Sequence, residues 1–496
     1  MKTFDVMVIG AGSAGRYGAK AAAKLGAKVG LVETGPFGGL CILKGCMPTK
    51  AYLRSSELIG LLKKAPEVGI YPGKYVGIRF DQIKQRKDKL IAEMADDAYQ
   101  GVLRHPNITL LSGRARFLSG KEVQVGAEPY AAERFLIATG SRAMIPQIPG
   151  LEEAGYITSD EALEMESLPQ SMVIIGGGVE GTEFGQFFAR MGVKVTLLQR
   201  SDRILSHEDE DVSEALAEIL RNDGIDLRTG VREVVIERDP QGEWICFEEK
   251  ERVQRVAAEV IMIATGRTGN IDGLHLEAAG VETHPLGIVA NDFLQTSNPN
   301  IYAAGDVTGG AQIVNMATYE GEIAGTNLVK GPVQKADYRV FPRAVFCDPE
   351  FARVGLSERD ARERGLLSVS EGFLSAISEK RLSPIERKGL LKSWPTPSAG
   401  RSWAPPLSGP KRRFSFTRRR SRCISARRWR SMRRSATSIR RWRRSCFIWP
   451  MRWSEKSSGH PIRKQGEGDG DAAASQREAI VNVPKIALLN IRTTPR

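Results

Sequence analysis

No apolar stretch of the 496-residue chain reaches the ~18 residues that a membrane-spanning helix needs. Cysteine is scarce, with six residues in all, which excludes a disulfide scaffold. The 51 glycines fall far short of collagen's share of about one-third, and 41% hydrophobic residues exclude a wholly disordered chain. A secretory signal is also missing from the start: the chain enters an apolar strand at Phe4–Ile9, and a glycine loop comes at once. The expectation is a cytoplasmic protein of three or four domains, since domains run to roughly 100–200 residues.

Acidic residues are nearly absent from one region only. Residues 389–464 hold 22 Lys/Arg and a single acid, Glu455, for a net charge of +21, whereas residues 1–388 carry a net −7. The overall +14 averages two unlike parts. Six of the seven tryptophans lie in the basic part, with 14 serines.

What the acidic body contains is one design written twice. Strand Phe4–Ile9 leads into Gly10-Ala11-Gly12-Ser13-Ala14-Gly15, a helical run Arg16–Leu25, and a strand from Lys28 to Val32 closed by Glu33. Strand Met172–Ile175 leads into Gly176-Gly177-Gly178-Val179-Glu180-Gly181, a helical run Thr182–Met191, and a strand from Lys194 to Leu198 closed by Gln199. In both, 23 residues separate the first glycine from the closing residue. One such loop is weak evidence for a ligand, because glycine turns occur without one; two, each with the right sequel, point to dinucleotide binding. The glycines allow a tight turn and close approach to a pyrophosphate, and the helix N-terminus supplies free N–H groups. Gly10, Gly12 and Gly15, and then Gly176, Gly178 and Gly181, are the candidates. Glu33 suits an unphosphorylated ribose diol. Gln199, followed by Arg200 and soon by Arg203, favours a 2′-phosphate, with Arg200 as an ordinary surface residue the competing reading.

Between the two units lies Gly38-Gly39-Leu40-Cys41-Ile42-Leu43-Lys44-Gly45-Cys46-Met47-Pro48-Thr49-Lys50. The two cysteines are close enough to shut a short loop, and a helical pattern begins just after Pro48. A thiolate near a helix N-terminus has a lowered pKa and exchanges readily. A zinc site would need a second Cys/His pair of suitable spacing, which the sequence lacks, so no metal is expected. Cys246 and Cys347 read as packed small apolar residues.

The cysteine loop and several segments downstream of it resemble the class I pyridine nucleotide-disulfide oxidoreductases, which include dihydrolipoamide dehydrogenase, glutathione reductase and mercuric reductase. Cys41, Gly45, Cys46, Pro48, Thr49 and Lys50 match the family's redox motif. Ala138-Thr139-Gly140-Ser141-Arg142 and Ala264-Thr265-Gly266-Arg267 look like its two exits from the nucleotide domains, and Ile301-Tyr302-Ala303-Ala304-Gly305-Asp306 like its second FAD motif. The resemblance covers about residues 4–392. It implies an α/β fold with two doubly wound dinucleotide-binding domains and an incomplete α+β interface domain. The FAD domain would take residues 1–148 and 271–336, the NAD(P) domain 149–270, and the start of the interface domain 337–392.

By the same resemblance Cys46 faces the flavin and Cys41 is the interchange thiol. Lys50 and Glu183 form a pair near the flavin N5 and the nicotinamide, and Asp306 binds the ribityl chain. Gly39, Thr139, Gly140 and Gly305 would line FAD; Gly266 and Arg267 would lie at the nucleotide site. The implied activity is FAD-dependent NAD(P)-disulfide oxidoreduction, dihydrolipoyl dehydrogenase-like by default, on a small-molecule or lipoyl disulfide or dithiol. A mercuric- or glutathione-reductase-like enzyme, or an impaired flavoprotein with diaphorase activity alone, is the alternative. Leu40, Leu43 and Lys44 depart from the family's usual residues.

The family's interface domain ends in a His-Pro motif whose imidazole serves the partner's interchange thiol. Here the pattern stops after Gly389-Leu390-Leu391-Lys392, and residues 393–496 read as an out-of-frame, unstructured tail: a GC-rich gene read in the wrong frame yields Arg, Ser, Pro and Trp. A nucleic-acid-binding extension and an unfamiliar basic domain are the competing readings. The resemblance implies a homodimer, yet this segment stands where the dimer domain should be. His460-Pro461 is followed at the fifth position by Gln465 rather than Glu. His105, His207, His275 and His284 read as surface residues.

Overall fold

The computed structural model describes residues 1–73, 77–240 and 242–365. The expectations for residues 366–496, including His460-Pro461 and the basic tail, lie outside the described residues. The chain opens with β1 (Lys2–Ile9), α1 (Ser13–Lys24) and β2 (Val29–Glu33), followed by α2 (Gly39–Leu43), α3 (Cys46–Lys64) and α4 (Phe80–Leu103). Strands β3 (Ile108–Ser112), β4 (Ala115–Ser119), β5 (Glu122–Val125) and β6 (Glu128–Ile137) complete a sheet ordered β3-β2-β1-β6-β5-β4. Its left part is parallel, and the β4–β5–β6 part is an antiparallel meander. Val6 and Val8 pack on one face and Met7 and Ile9 on the other, so the second half of β1 is an unbroken apolar run because both faces are covered there.

After β7 (Ser141–Ala143), α5 (Leu151–Ala154) and α6 (Ser159–Glu164), a second parallel sheet forms. It comprises β8 (Ser171–Ile175), α7 (Val179–Arg190), β9 (Lys194–Gln199), α8 (Glu210–Asn222) and β10 (Asp226–Thr229). An antiparallel three-stranded sheet, β11 (Arg232–Asp239), β12 (Gly242–Glu249) and β13 (Arg252–Val256), covers one face through Ile236, Ile245 and Phe247. Strand β14 (Val260–Ile263) closes the order β10-β9-β8-β14, and β15 (Arg267–Gly269) runs antiparallel to β7.

The chain then returns to the first sheet. Past β16 (Thr283–His284) and β17 (Gly287–Ile288), β18 (Ile301–Ala303) pairs in parallel with Phe135–Ile137, the end of β6 that β5 leaves free. Helix α9 (Val314–Lys330) lies against α1 so closely that a Cβ at Gly321 would come 2.2 Å from the Ala14 carbonyl oxygen, and one at Gly325 equally close to that of Gly18. A two-stranded piece, β19 (Pro342–Val345) with β20 (Phe351–Val354), and α10 (Glu358–Glu363) end the described chain. Mixed α/β with two parallel sheets is the fold that the sequence pattern implies.

Helices α1 and α7 start three residues earlier than their apolar patterns place them, inside the glycine motifs, with Gly12 and Gly178 as N-caps. Glycine carries no periodic signal, so a helix that begins in a glycine loop has a hidden first turn. Helix α3 likewise starts at Cys46, not after Pro48, because proline is tolerated in a first turn where its missing N–H has no partner.

Candidate active site

The two glycine loops share one internal geometry. Gly10 and Gly176 have φ of +99° and +118°, and a Cβ would come 2.4 and 2.2 Å from the carbonyl oxygens of Ala138 and Ala264, the neighbouring strand ends. At the close of the second strand, Glu33 Oε2 accepts the Ala11 N–H at 2.9 Å, and Gln199 Oε1 accepts the Gly177 N–H at 2.7 Å. The same loop position is thus tied by a carboxylate in one unit and an amide in the other. Neither N-cap has a side-chain hydrogen bond, and a Cβ at Gly178 would meet nothing within 4 Å. First-turn N–H groups left without side-chain caps, with open space beside Gly178, fit a pyrophosphate at each loop.

The two exit segments meet each other. Thr139 Oγ1 donates to the Asn270 carbonyl at 2.6 Å, Asn270 Nδ2 returns a bond to that of Thr139 at 3.0 Å, and the Asn270 N–H reaches Gly140 at 2.9 Å. Ser141 Oγ donates to Asp306 Oδ2 at 2.8 Å and accepts from Arg267 Nε at 3.0 Å. Burial pushes the Asp306 carboxyl up against the opposing pull of Ser141 and Arg267. Behind it Glu320 accepts the Gly305 N–H at 2.7 Å and the Tyr338 hydroxyl at 2.9 Å. A recess lined by Asp306, Thr308, Gln312, Ile313, Met316 and Glu320 opens here, at the start of α9. Gly266 stands beside this ladder with φ +119°, its N-terminal neighbour Thr265 bonded to the Met144 carbonyl at 2.7 Å.

Cys41 on α2 and Cys46 at the head of α3 face each other as free thiols. Hydrogen bonding to Cys46 and then burial push the Cys41 thiol well up, while the Cys41 S–H bond, aided by Lys50, draws Cys46 down. The thiolate therefore belongs on Cys46, where the start of α3 also favours negative charge. Lys50, one turn on, donates to Glu183 Oε2 at 2.8 Å, and its ammonium sits 4.5 Å from the Phe346 ring centroid. Burial opposes its charge, but Glu183 and both sulfurs outweigh it and hold the Lys50 pKa up. Glu183 is 3% exposed and accepts the Phe346 N–H on its other oxygen at 2.9 Å. Helix α3 is seated on α7 by Tyr52 stacked on Phe187, 4.7 Å apart at 7°. Gly39 backs onto Gly12, so the cysteine loop and the first glycine loop touch.

The remaining candidates fare unevenly. Arg200 is exposed, whereas Arg203 is half-buried with an Nε that has no partner. Arg203 lies in a loop tied to the second glycine motif by the Leu205 N–H on the Gly177 carbonyl at 2.8 Å. Cys347 is buried as expected, but Cys246 is only half-buried, and its Sγ reaches Glu237 at 3.4 Å. His207 and His275 are exposed; His105 and His284 are half-buried, and His284 Nε2 lies 3.1 Å from the Thr308 carbonyl. Lys44, one of the departures, bridges to Asp160 at 3.1 Å, a partly exposed pair of small energetic weight. Sequence reasoning named Ser141 only within the first exit segment, with no role of its own, and missed Gln186, Arg190 and Glu320. For Gln186 and Arg190 a signal was present: polar residues spaced among the phenylalanines of an inward-facing helix.

Residues 4–321 match the family described as pyridine nucleotide-disulphide oxidoreductase. The chain belongs to this family. Its members use FAD and NAD(P)H. Over 363 residues the chain is 39% identical to a mercuric reductase of Staphylococcus aureus, an alignment covering 73% of this chain and 66% of that one. It is 32% identical over 409 residues to a dihydrolipoyl dehydrogenase of Bacillus subtilis (strain 168), covering 81% and 88%. The Cu(II) complex of the HOCl-induced flavoprotein disulfide reductase RclA from Escherichia coli superposes with a TM-score of 0.64 at 30% identity, covering 74% of this chain and 80% of that chain. The chain thus spans just under two thirds of the length of the mercuric reductase. Among the described residues no helix is long and apolar enough to cross a membrane.

Proposed function

We propose that the chain is an FAD- and NAD(P)-dependent disulfide oxidoreductase, dihydrolipoyl dehydrogenase-like, working through the Cys41–Cys46 pair. The observation that carries this reading is the line Cys41–Cys46–Lys50–Glu183, with one thiol drawn below its ordinary pKa beside a half-buried cation. Residues 1–148 and 271–336 would hold FAD, with Gly10, Gly12, Gly15, Glu33, Gly39, Lys50, Thr139, Gly140, Gly305 and Asp306 about it. Residues 149–270 would hold the nicotinamide nucleotide, with Gly176, Gly178, Gly181, Glu183, Gln199, Arg200, Gly266 and Arg267. Bound flavin supplies the two-electron relay between nicotinamide and sulfur.

The chain's own residues then carry the exchange. Two electrons and one proton open the Cys41–Cys46 bond; Cys41 keeps the proton and Cys46 remains a thiolate, as the hydrogen bond and Lys50 dictate. Once deprotonated, Cys41 attacks one sulfur of an external disulfide, and the other leaves as a thiolate that takes up a proton. Cys46 then attacks the Cys41 sulfur, which restores the pair and releases the second half as a thiolate that takes up a proton from solvent. Glu183 fixes Lys50, and Asp306 anchors a hydroxyl-bearing chain through Ser141 and Arg267. Gln199 with the unpartnered Arg203 Nε supports acceptance of a 2′-phosphate, hence NADPH at least as readily as NADH. Dependence on a cellular reductant supports a cytoplasmic location, and homodimers are the family's usual state. A second, mercuric-reductase-like reading draws on the 39% identity, but Cys423 and Cys446 do not form the closely spaced pair such enzymes usually carry near their C-terminus.

Anaerobic titration with NADPH tests the reading. The parent protein should take up about two equivalents per flavin and a Cys46→Ser variant about one, because only the parent has a second two-electron acceptor. Equal uptake by both would overturn it.

A further inference from the structure

Helix α7 turns a strongly apolar face inward, with Phe184, Phe187 and Phe188 each 2% exposed or less. Yet Glu183, Gln186 and Arg190 are buried just as deeply, at 3%, 0% and 2%. Polar groups so placed are unfavourable unless their bonds are made. Here they are made, and largely to one short stretch of chain. Gln186 Oε1 accepts the Asp348 N–H at 2.7 Å, and its Nε2 donates to the Asp348 carbonyl at 3.0 Å. Arg190 Nη1 meets Asp348 Oδ2 at 2.7 Å, and Nη2 reaches the same residue's carbonyl at 3.3 Å. Its remaining face is neutralised by Asp223, 2.9 Å from Nη2.

The periods match. Residues 183, 186 and 190 lie on one helical face, while 346 and 348 are alternate residues of the chain, so each rung of the helix meets a backbone group of the stretch. Gly60 of α3 leaves the room: a Cβ there would come 2.5 Å from Arg190 Nη1. The last rung is Phe346, whose N–H holds Glu183 and whose ring lies over Lys50.

We propose that Arg190, Gln186 and Asp348 form a clamp that positions the Lys50–Glu183 pair, a role that rests on that pair acting at the reacting edge of the flavin. Among the described residues, the clamp's hydrogen bonds and ion pairs go to Asp223, Ser56 and one another, and none goes to Cys41 or Cys46. They fix the 346–348 stretch, which fixes Glu183, which fixes Lys50 beside Cys46. The bland alternative is an anchor that merely fastens β19 and β20 to the body.

The full flavin-loaded chain separates the two. Gln186→Met keeps the volume and removes both polarities; Arg190→Lys keeps the charge and removes the fork. Each is read by the rate of flavin bleaching at saturating NADPH, by the NADPH concentration for half-saturation, and by the pH midpoint of Cys46 alkylation in dithiol-reduced protein, mapped by mass spectrometry. For Gln186→Met the bleaching rate should fall about tenfold at unchanged half-saturation. The alkylation midpoint should rise by about half a unit as Lys50 drifts from the sulfur. Arg190→Lys should move both the same way by less, and it carries the test where Gln186→Met folds poorly. Variants that melt earlier but keep the parent's rate and midpoint overturn the clamp in favour of the anchor. A Glu183→Gln variant that moves neither quantity overturns the role of the pair, and the clamp's with it. If Glu183→Gln moves both and the clamp variants move neither, the clamp alone fails.

Discussion

The loops at Gly10–Gly15 and Gly176–Gly181 share their turns, their helix starts and even the acceptor that ties their second residue. They differ in what that acceptor offers on its other side. Glu33 is an anion, and its second oxygen accepts the Thr34 N–H at 2.8 Å. Gln199 presents an amide donor, next to a loop that carries Arg200 and Arg203. The shared part builds the turn, and under the proposed function the differing part would select the ligand. One backbone solution would then serve two nucleotides.

The sharpest way to separate the loops' task from the rest of the reaction is to time its halves. Both loops, Lys50, Glu183 and the cysteines lie within the described residues, so NADPH should bleach the flavin quickly. The family's imidazole base has no counterpart there, and general acid–base help is worth roughly 10²–10⁴-fold. Steady-state lipoamide turnover should fall below dye turnover by about that factor when both are measured on one sample. Fast lipoamide turnover would make His460 the first residue to replace.

Next comes a pair of substitutions that should part the loops. Gly176→Ala drives a Cβ into the Ala264 carbonyl and should leave a yellow protein that NADPH reduces at least about a hundredfold more slowly. Gly10→Ala makes the matching collision at Ala138 and should give protein with little flavin. Absorbance and stopped-flow traces decide; two variants with the same defect would mean the loops do not divide the labour.

A smaller effect is expected from exchanging the acceptors. Gln199→Glu keeps the bond to Gly177 but sets a carboxylate against a 2′-phosphate. The ratio of kcat/KM for NADPH over NADH should drop about tenfold, or roughly 1.4 kcal/mol. Arg203→Ala should act in the same direction. A ratio unmoved by both variants would show that this edge touches no phosphate.

The smallest effect concerns the sulfur pair, which has a counterpart at neither end of the second unit. The Cys46 thiol is drawn below its ordinary value, so its thiolate persists as pH falls beneath the usual range of about 8.5. Lys50→Met removes a nearby cation and should move the alkylation midpoint up by about one unit. A midpoint that stays put would assign the shift to Cys41 and the helix alone.

Much of the fold and of the site is legible in the sequence. Two strand–glycine–helix–strand units at equal spacing are local patterns, and the cysteine loop is local too. The helix starts are not, because glycine hides the first turn. Nor is the joining of Ser141 to Asp306, since 165 residues separate them and neither is unusual in its own neighbourhood. Gln186 and Arg190 are visible as polar intrusions in an apolar helix, but their partner, Asp348, lies some 160 residues on and is named only by the fold. Short-range periodicity reports which face is inside; it carries no information about which distant backbone will come to meet it.

The tie between strand end and glycine loop has a consequence for descent. Glutamate and glutamine codons differ only in their first base, and both side chains offer the one oxygen that the loop N–H requires. A lineage carrying this fold can thus exchange an acidic for a neutral reader in a single nucleotide change without passing through a misfolded ancestor. Preference for the phosphorylated or the plain nicotinamide coenzyme is then free to follow the metabolic supply of either, while the architecture that surrounds it stays under separate and stricter selection.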